Sequence, residues 1–373
     1  MRLSYCDHHI ISFLRLFADS MKPLDLALSH YLRDHKSIGA HDRRTIGETL
    51  YGMVRWKSMI DHFCPSPDPK ERLFCFRKMA EWQKDPTIPE PARLGVNEFL
   101  YGRFYAIFGA EKTRSLCHIL NGTAPTTIRA NLLKTTREDL IRIFEGKFEV
   151  APCEQAPAGL QFKKRSPLFA LPEFKEGLFE MQDEGSQLIA NLVQCKPGEH
   201  VLDYCSGSGG KTLAFAPAMQ GKGQIYLHDI RPWVLQEASK RLKRAGIQNA
   251  QTLIPGHPQL AAIRGKVNWV LADVPCTGTG TLRRNPDAKW KIDAAMVERL
   301  VLEQREIVKQ AVEFLKPGGR LVYATCSLLP EENQEQTTYF LKHHPLALEG
   351  EPLSLLPKEG GMDGFYSALF RKI

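Results

Sequence analysis

The chain has 373 residues, enough for two or three domains and a large buried core. With 43% hydrophobic, 25% charged and 9% aromatic residues it reads as globular rather than disordered or fibrous, and no segment approaches the roughly 20 uncharged apolar residues of a membrane span. Basic residues outnumber acidic ones 50 to 42, a net charge of +8 that suits a polyanionic partner without requiring one. Nine cysteines (6, 64, 75, 117, 153, 195, 205, 276 and 326) are an odd number, widely spread and without a C-x-x-C pair. They speak against a disulfide scaffold or zinc ribbon and for a reducing, cytoplasmic setting. The apolar run at 10–17 is interrupted by Arg15 and lacks a small-residue cleavage site, so a secretory signal is not expected.

The first 120 residues read as an all-helical domain. Leu24, Leu28 and Leu32, then Ile46, Leu50, Met53 and Val54, recur at helical spacing. Pro65, Pro67 and Pro69 break the pattern, and helical texture resumes over 71–82 and 91–120. Residues 121–178 read as a small α/β connecting module, with a β-rich stretch at 126–131, a helix at 137–144 and prolines at 152, 157, 167 and 172. Its basic run Lys163-Lys164-Arg165 is expected in a solvated loop.

From about 179 to 373 strand and helix signals alternate. Strands are predicted at 200–204, 224–228, 251–254, 267–273 and 320–325, the fourth being the most continuous and therefore central. A helix at 233–245 presents Val234, Leu235, Ala238, Leu242 and Ala245 on one face, with Gly246 as its cap. A second helix at 296–315 stops at Pro317-Gly318-Gly319. This alternation predicts a doubly wound, Rossmann-like parallel sheet.

Ligands of such sheets bind outside the carboxyl ends of the strands. Those ends carry Asp203 to Lys211, Asp229, Asp273-Val274-Pro275-Cys276, and Thr325-Cys326-Ser327, so the chemically expressive groups fall on one rim. The glycine turn has three readings. A P-loop fits Gly210-Lys211-Thr212 but meets Cys205 where its first glycine belongs, and a dinucleotide G-x-G-x-x-G lacks its third glycine. The third is a nucleoside cofactor that the glycines let the backbone approach closely, with Asp229 accepting the ribose hydroxyls. S-adenosylmethionine fits this reading best. Cysteines 276 and 326 close two successive strands beside Asp273, and a thiolate can add to an electron-poor pyrimidine ring.

Several motifs then carry a family resemblance. The string from Val201 to Thr212, Asp273-Val274-Pro275-Cys276-Thr277-Gly278-Thr279-Gly280 followed by Arg283-Arg284-Asn285-Pro286-Asp287, and Tyr323-Ala324-Thr325-Cys326-Ser327 followed by Glu331-Glu332-Asn333 resemble RsmB/NSUN-type RNA (cytosine-5)-methyltransferases. Segments 182–187 and 361–366 are similar too, and residues 42–55 resemble part of a truncated NusB-type RNA-binding domain. The resemblance implies three domains: helical and NusB-like (1–120), connecting (121–178) and catalytic (179–373).

It also implies roles. Cys326 would attack ring carbon 6 of a cytosine lifted from its stack, Asp273 would hydrogen-bond ring nitrogen 3, and Cys276 would help release the product. Cys205, Ser206, Gly207, Ser208, Gly209, Gly210, Lys211, Asp229 and Asp273 would line the cofactor. DNA cytosine-5 methyltransferases use the Pro-Cys cysteine as nucleophile, so the two-cysteine order favours RNA, ribosomal first and transfer RNA second. A monomer without membrane attachment is expected.

Two departures from the family stand out. It has an acidic residue where this chain reads Ile254-Pro255-Gly256-His257-Pro258, and it commonly has A-P-G-G-K where this chain has Gly207-Ser208-Gly209-Gly210-Lys211. Arg283, Arg284 and Lys289, with Trp290 among them, are expected to grip RNA phosphates and a stacked base, whereas Lys240, Arg241, Lys243 and Arg244 are expected on a solvated helix face. The histidine pairs 8–9 and 343–344 have no partners at metal spacing, so no metal site is expected. Two other functions compete: a catalytically silent RNA-binding or assembly factor, and a P-loop-like NTPase.

Overall fold

The computed structural model describes residues 3–373 except 19, 21, 83, 84, 86 and 165, and apart from the side chain of Trp82. Arg165, the end of the expected basic loop, therefore lies outside the described residues. The chain divides into two compact units, residues 1–123 with 281–294, and residues 124–280 with 295–373.

The first unit is helical: α1 (Tyr5–Phe17), α2 (Leu24–Asp34), α3 (Ala40–Arg55), α4 (Lys57–Phe63), α5 (Pro69–Trp82), α6 (Glu90–Arg93) and α7 (Glu98–Asn121), the last kinked at Gly109. Ser4 and Asp7 start α1 with a reciprocal capping box, each side chain taking the other's backbone N–H. Leu24 and Leu28 on α2, and Ile46, Leu50 and Met53 on α3, are buried as their spacing predicts, while Leu32 and Val54 pack at the margin of that core. Pro69 is the first residue of α5, where its missing N–H costs nothing. Residues 281–294, read from the sequence as part of the third domain, belong to this helical unit. Asn97 Nδ2 donates to the Lys289 and Ile292 carbonyls (2.7 and 2.9 Å), and Trp290 Nε1 donates to the Val54 carbonyl (2.6 Å).

The second unit holds two sheets. The smaller is antiparallel, with strands β1 (Thr126–Ala130), β2 (Val150–Pro152), β3 (Gly159–Phe162) and β4 (Phe179–Met181) in the order β2-β3-β1-β4. Helix α8 (Arg137–Phe144) contributes Leu140 and Phe144 to a core with Ile128, Leu160 and Phe179. The short α9 (Pro172–Lys175) and α10 (Glu184–Ala190) lead to the larger sheet.

That sheet comprises β5 (His200–Asp203), β6 (Gln224–His228), β7 (Ala250–Leu253), β8 (Val267–Asp273), β9 (Leu315–Thr325), β10 (Leu346–Leu348), β11 (Leu353–Leu355) and β12 (Phe365–Lys372). Helices α11 (Thr212–Phe215), α12 (Pro232–Ala245), α13 (Pro258–Ala262), α14 (Ala294–Phe314) and α15 (Gln334–His343) alternate with the strands. The order is β10-β12-β9-β8-β5-β6-β7, with β11 paired to β12. Strands β5 to β9 are parallel, as the alternation of strand and helix signals predicts. The all-parallel expectation is corrected at one edge, where β12 runs antiparallel to β9 and pairs with β10 and β11, making the sheet mixed. Pro317-Gly318-Gly319 ends α14 but does not delay the strand. β9 begins at Leu315, and residues 316–319 bulge between the pairs Val267–Leu315 and Trp269–Arg320.

Leu50 is fully buried in the helical core. Leu50→Ala should cost about 3 kcal/mol by leaving a cavity, read as a lower denaturation midpoint for the helical unit.

Candidate active site

In a doubly wound sheet the strand order reverses between the first strand and its neighbour on the other side, here β5 and β8, and a crevice opens at their carboxyl ends. The glycine turn leaves β5 there. Its backbone is tied down by Ser206 N–H to the His228 carbonyl, Gly207 N–H to Asp229 Oδ2 and Gly209 N–H to the Ser206 carbonyl, each 2.9 Å. Gly207 and Gly209 sit at φ of 52° and 77°, a conformation that disfavours other side chains. A Cβ on Gly207 would meet nothing within 4 Å, and one on Gly210 would meet only the tip of Arg241. Gly209, in contrast, is packed, since a Cβ there would lie 3.2 Å from the Leu227 side chain, so the turn is anchored at Gly209 and leaves room for a ligand at Gly207 and Gly210. Buried Asp229 carries both carboxylate oxygens to the rim. Burial alone would raise its pKa, but hydrogen bonds from Arg231 and Gly207 and the Arg231 charge hold it below the usual range. This donor and acceptor set fits a nucleoside moiety.

Asp203 ends β5 fully buried. Its Oδ2 accepts the Thr212 hydroxyl at 2.6 Å, while Oδ1 has no hydrogen-bond partner among the described residues. Burial, with the Asp273 and Asp229 charges adding to it, outweighs the Thr212 bond and the attraction of Lys211 and lifts this carboxyl to about 7. Burial also raises the Cys205 thiol, and the Asp203, Asp273 and Asp229 charges add to the effect.

At the end of β8, Asp273 forms an ion pair with Lys211 from the glycine turn. Burial pulls the Lys211 ammonium down, yet Asp273 outweighs it and the lysine stays charged. Cys276 follows in the loop after β8, and Cys326 is the first residue after the neighbouring β9. Their sulfurs lie 3.3 Å apart, and the Cys326 N–H also points at the Cys276 sulfur (3.3 Å). Both thiols are partly exposed. The Cys276 thiol is pushed well above its ordinary value by its hydrogen bond to Cys326, then by burial and the Cys326 and Glu332 charges.

Glu332 fixes this pair from beneath. Fully buried, it accepts the Thr277 N–H (2.9 Å), the Thr277 hydroxyl (2.5 Å) and Gln304 Nε2 (2.9 Å). Thr277, Thr279 and Ser327 share hydroxyl contacts of 3.2 to 3.5 Å, and Thr279 also accepts the Leu328 N–H (2.7 Å). The loop after β8 and the loop after β9 are thus cross-linked by side chains. Gly280 closes the bracket: its N–H donates to the Cys326 carbonyl, and an added Cβ would lie 2.3 Å from the Gly364 carbonyl oxygen.

The structure brings Asp203 to Lys211, Asp229, Asp273, Cys276 and Cys326 to one rim of the second unit. Of the three residues expected to grip phosphate, Arg283 and Lys289 are buried in the helical unit. The Lys289 ammonium is bound by Asn121, and burial beside Arg55 lowers its pKa well below normal. Arg283 is 3% exposed, its carbonyl accepting from Arg55 (3.3 Å), and Arg284 is half-buried. The Trp290 indole is bound to Val54 in the same unit. The solvated face of α12 is also only partly as expected: Lys240 and Lys243 are exposed, but Arg241 and Arg244 turn inward onto buried Glu180. Among the described residues no group of three or more His, Cys, Asp or Glu is placed to hold a metal ion, and no helix is long and apolar enough to cross a membrane.

Known proteins match this arrangement. The family profile described as 16S rRNA methyltransferase RsmB/F covers residues 190–371, and the RsmF/B-like ferredoxin-like domain covers 96–168. The chain belongs to the RsmB/F methyltransferase family. A ribosomal RNA small subunit methyltransferase B from Pasteurella multocida is 34% identical over 281 residues, covering 70% of this chain and 62% of the relative. The chain spans 61 to 66% of the length of the curated relatives it matches. The crystal structure of PH0851 shares the fold over the whole of both chains, with a TM-score of 0.84 at 24% identity. A methyltransferase homolog protein from Pyrococcus horikoshii superimposes with a TM-score of 0.66 at 26% identity, over 76% of this chain and 98% of that one. This RsmB/F-family chain places its glycine turn and its Pro-Cys loop at the carboxyl ends of the neighbouring strands β5 and β8.

The residues missed by sequence reading are the pairing partners. Glu332 had a signal, since it stands in the Glu-Glu-Asn segment after the Thr-Cys-Ser motif, but Gln304 and Arg241 had none beyond their place on helices. Glu332→Ala should strand the Thr277 and Gln304 donors and cost about 3 kcal/mol, measured as a lower thermal midpoint, with Glu332→Gln losing less. Asp203 has a folded pKa above its ordinary 3.8, so the folded state binds the extra proton and stability declines as pH rises from about 4 to about 7. Asp203→Asn should flatten that decline in pH-resolved melting curves.

Proposed function

We propose that this chain is an S-adenosylmethionine-dependent RNA (cytosine-5)-methyltransferase acting on small-subunit ribosomal RNA in the cytoplasm, as a monomer. The observation that carries the reading is the contact of two sulfurs, Cys276 and Cys326, at adjacent strand ends beside Asp273. A binding protein has no use for two partly exposed thiols in contact over a rim of carboxylates. The names of the relatives, ribosomal RNA small subunit methyltransferase B, support the choice of RNA.

When bound, S-adenosylmethionine supplies an electrophilic methyl group. The glycine turn would receive its nucleoside portion, with Asp229 facing the ribose hydroxyls. The half-exposed Arg231 side chain, which caps that carboxylate, would move aside for them. The Cys326 thiolate would add to ring carbon 6 of a flipped cytosine, and the displaced electron pair would reach the ring at nitrogen 3 and the neighbouring oxygen. Nitrogen 3 would take a proton from solvent as the electron pair arrives, and Asp273, held by Lys211, would accept the resulting N–H and steady the adduct. Ring carbon 5 would take the methyl group that S-adenosylmethionine supplies, the methyl–sulfur bonding pair leaving with S-adenosylhomocysteine. Loss of the carbon-5 proton, assisted by Cys276, would return its electrons to the ring and expel the Cys326 thiolate. The product is 5-methylcytosine.

The test uses purified protein, methyl-labelled S-adenosylmethionine and ribosomal RNA, naked or as particles, from cells lacking this protein. Wild type should place label in 5-methylcytosine, Cys326→Ala should place none, and Cys276→Ala should accumulate a covalent protein–RNA adduct on denaturing gels. Absence of label from every RNA form despite measurable cofactor binding would overturn the catalytic reading.

A further inference from the structure

The glycine turn departs from its family at Ser208, where proline is common. Proline would hold that residue's φ covalently. Serine does not, and the two glycines beside it have positive φ, so covalent geometry leaves residue 208 unfixed even with the Gly209 N–H bonded to the Ser206 carbonyl. The structure supplies one from outside. Arg241 of α12 donates through Nη1 to both the Ser208 carbonyl (2.9 Å) and the Ser208 hydroxyl (2.7 Å). Its Nε and Nη2 donate to Glu180 Oε2 (3.3 and 3.0 Å), while Arg244 Nη2 takes the other carboxylate oxygen (2.5 Å). The Glu180 and Arg241 side chains are 4% and 15% exposed, so the contacts are shielded from water and short-range in effect.

The brace starts in the small sheet. Glu180 lies on β4 directly opposite Arg129 on β1. Arg129 is buried too, and its Nη1 donates to the Gly210 carbonyl at 3.1 Å, beside Gln182 Nε2 at 3.3 Å. Burial takes the Arg129 guanidinium down to about 9, which still leaves it charged at neutral pH. Two carbonyls of the turn, 208 and 210, are therefore held by cations whose anchors sit on β1 and β4. None of this is required for the packing of the small sheet, whose core is the aliphatic and aromatic cluster on its other face.

We propose that Arg241, braced by Glu180, is a positioning residue that fixes the cofactor turn through Ser208 and does the work of the absent proline. The proposal rests on the cofactor reading given above. No described residue accepts the Ser208 N–H, so a proline there loses no hydrogen bond.

The experiment is calorimetric titration of the full chain with S-adenosylhomocysteine, alongside melting curves without ligand. Ser208→Ala removes only a hydroxyl and should weaken binding several-fold, and Arg241→Gln should weaken it about tenfold. Ser208→Pro should bind within about twofold of wild type, and adding Ser208→Pro to Arg241→Gln should recover most of the loss, which a merely structural role for Arg241 would not produce. Lys240→Gln, exposed on the same helix, should leave binding unchanged. Wild-type binding with Ser208→Ala unaffected, or with no recovery by proline, would overturn the proposal alone. Absence of binding by wild type would overturn the cofactor reading and this proposal together.

Discussion

The parallel pairing of β8 with β9, with Asp273 opposite Ala324, is the constraint on which the rest of the site depends. It places the two strand ends level, so that loops of three residues and one residue bring two sulfurs into contact. Sheet hydrogen bonds fix the starting points, but loops leaving a sheet are ordinarily its most mobile parts. Here they are tied to each other by a buried carboxylate and three hydroxyls. A buried charge of this kind is costly unless each lone pair is engaged, and Glu332 engages Thr277 twice and Gln304 once. Position at the rim is obtained from polar satisfaction in the interior.

The same division of labour appears on the other side of the crevice. The glycine turn has little side-chain matter of its own, which opens space for a ligand and leaves little packing beyond Gly209 to hold it still. Its order comes from neighbours: Asp229 on one flank, His228 beneath, and cations from β1 and α12 behind. The small antiparallel sheet thus reaches the larger sheet through charge as well as through continuity of the chain. Asn131, just past β1, reinforces the link by donating to the Ala245 carbonyl at the end of α12 (2.9 Å).

Much of this was legible in the sequence, for physical reasons that differ by region. Parallel strands buried on both faces are continuous apolar runs, and their carboxyl ends announce themselves by the abrupt return of Asp, Gly and Cys, so β5, β6 and β8 and the residues of the rim were readable one by one. The antiparallel β12 was not, because Phe365-Tyr366-Ser367-Ala368-Leu369-Phe370 could serve equally as a helix segment until its partner β9 is known. Pro317-Gly318-Gly319 misled as a strand boundary, since a bulge accommodates the same residues as a loop does. Basic residues misled most. Lysine and arginine are rarely fully buried unless partnered, and the partners of Lys289 and Arg241, namely Asn121 and Glu180, lie 168 and 61 positions away. Nothing local marks such long-range pairings.

Two sulfurs at 3.3 Å impose an order of events as well as a position. Neighbouring thiols resist sharing two negative charges, so while Cys326 is ionised Cys276 keeps its proton. In the proposed reaction Cys326 becomes a neutral thioether once bonded to the ring. Its repulsion then vanishes, and Cys276 becomes easier to ionise at the stage where a proton must leave carbon 5. The pair would act as a clock, in which the first bond made by one cysteine arms the other.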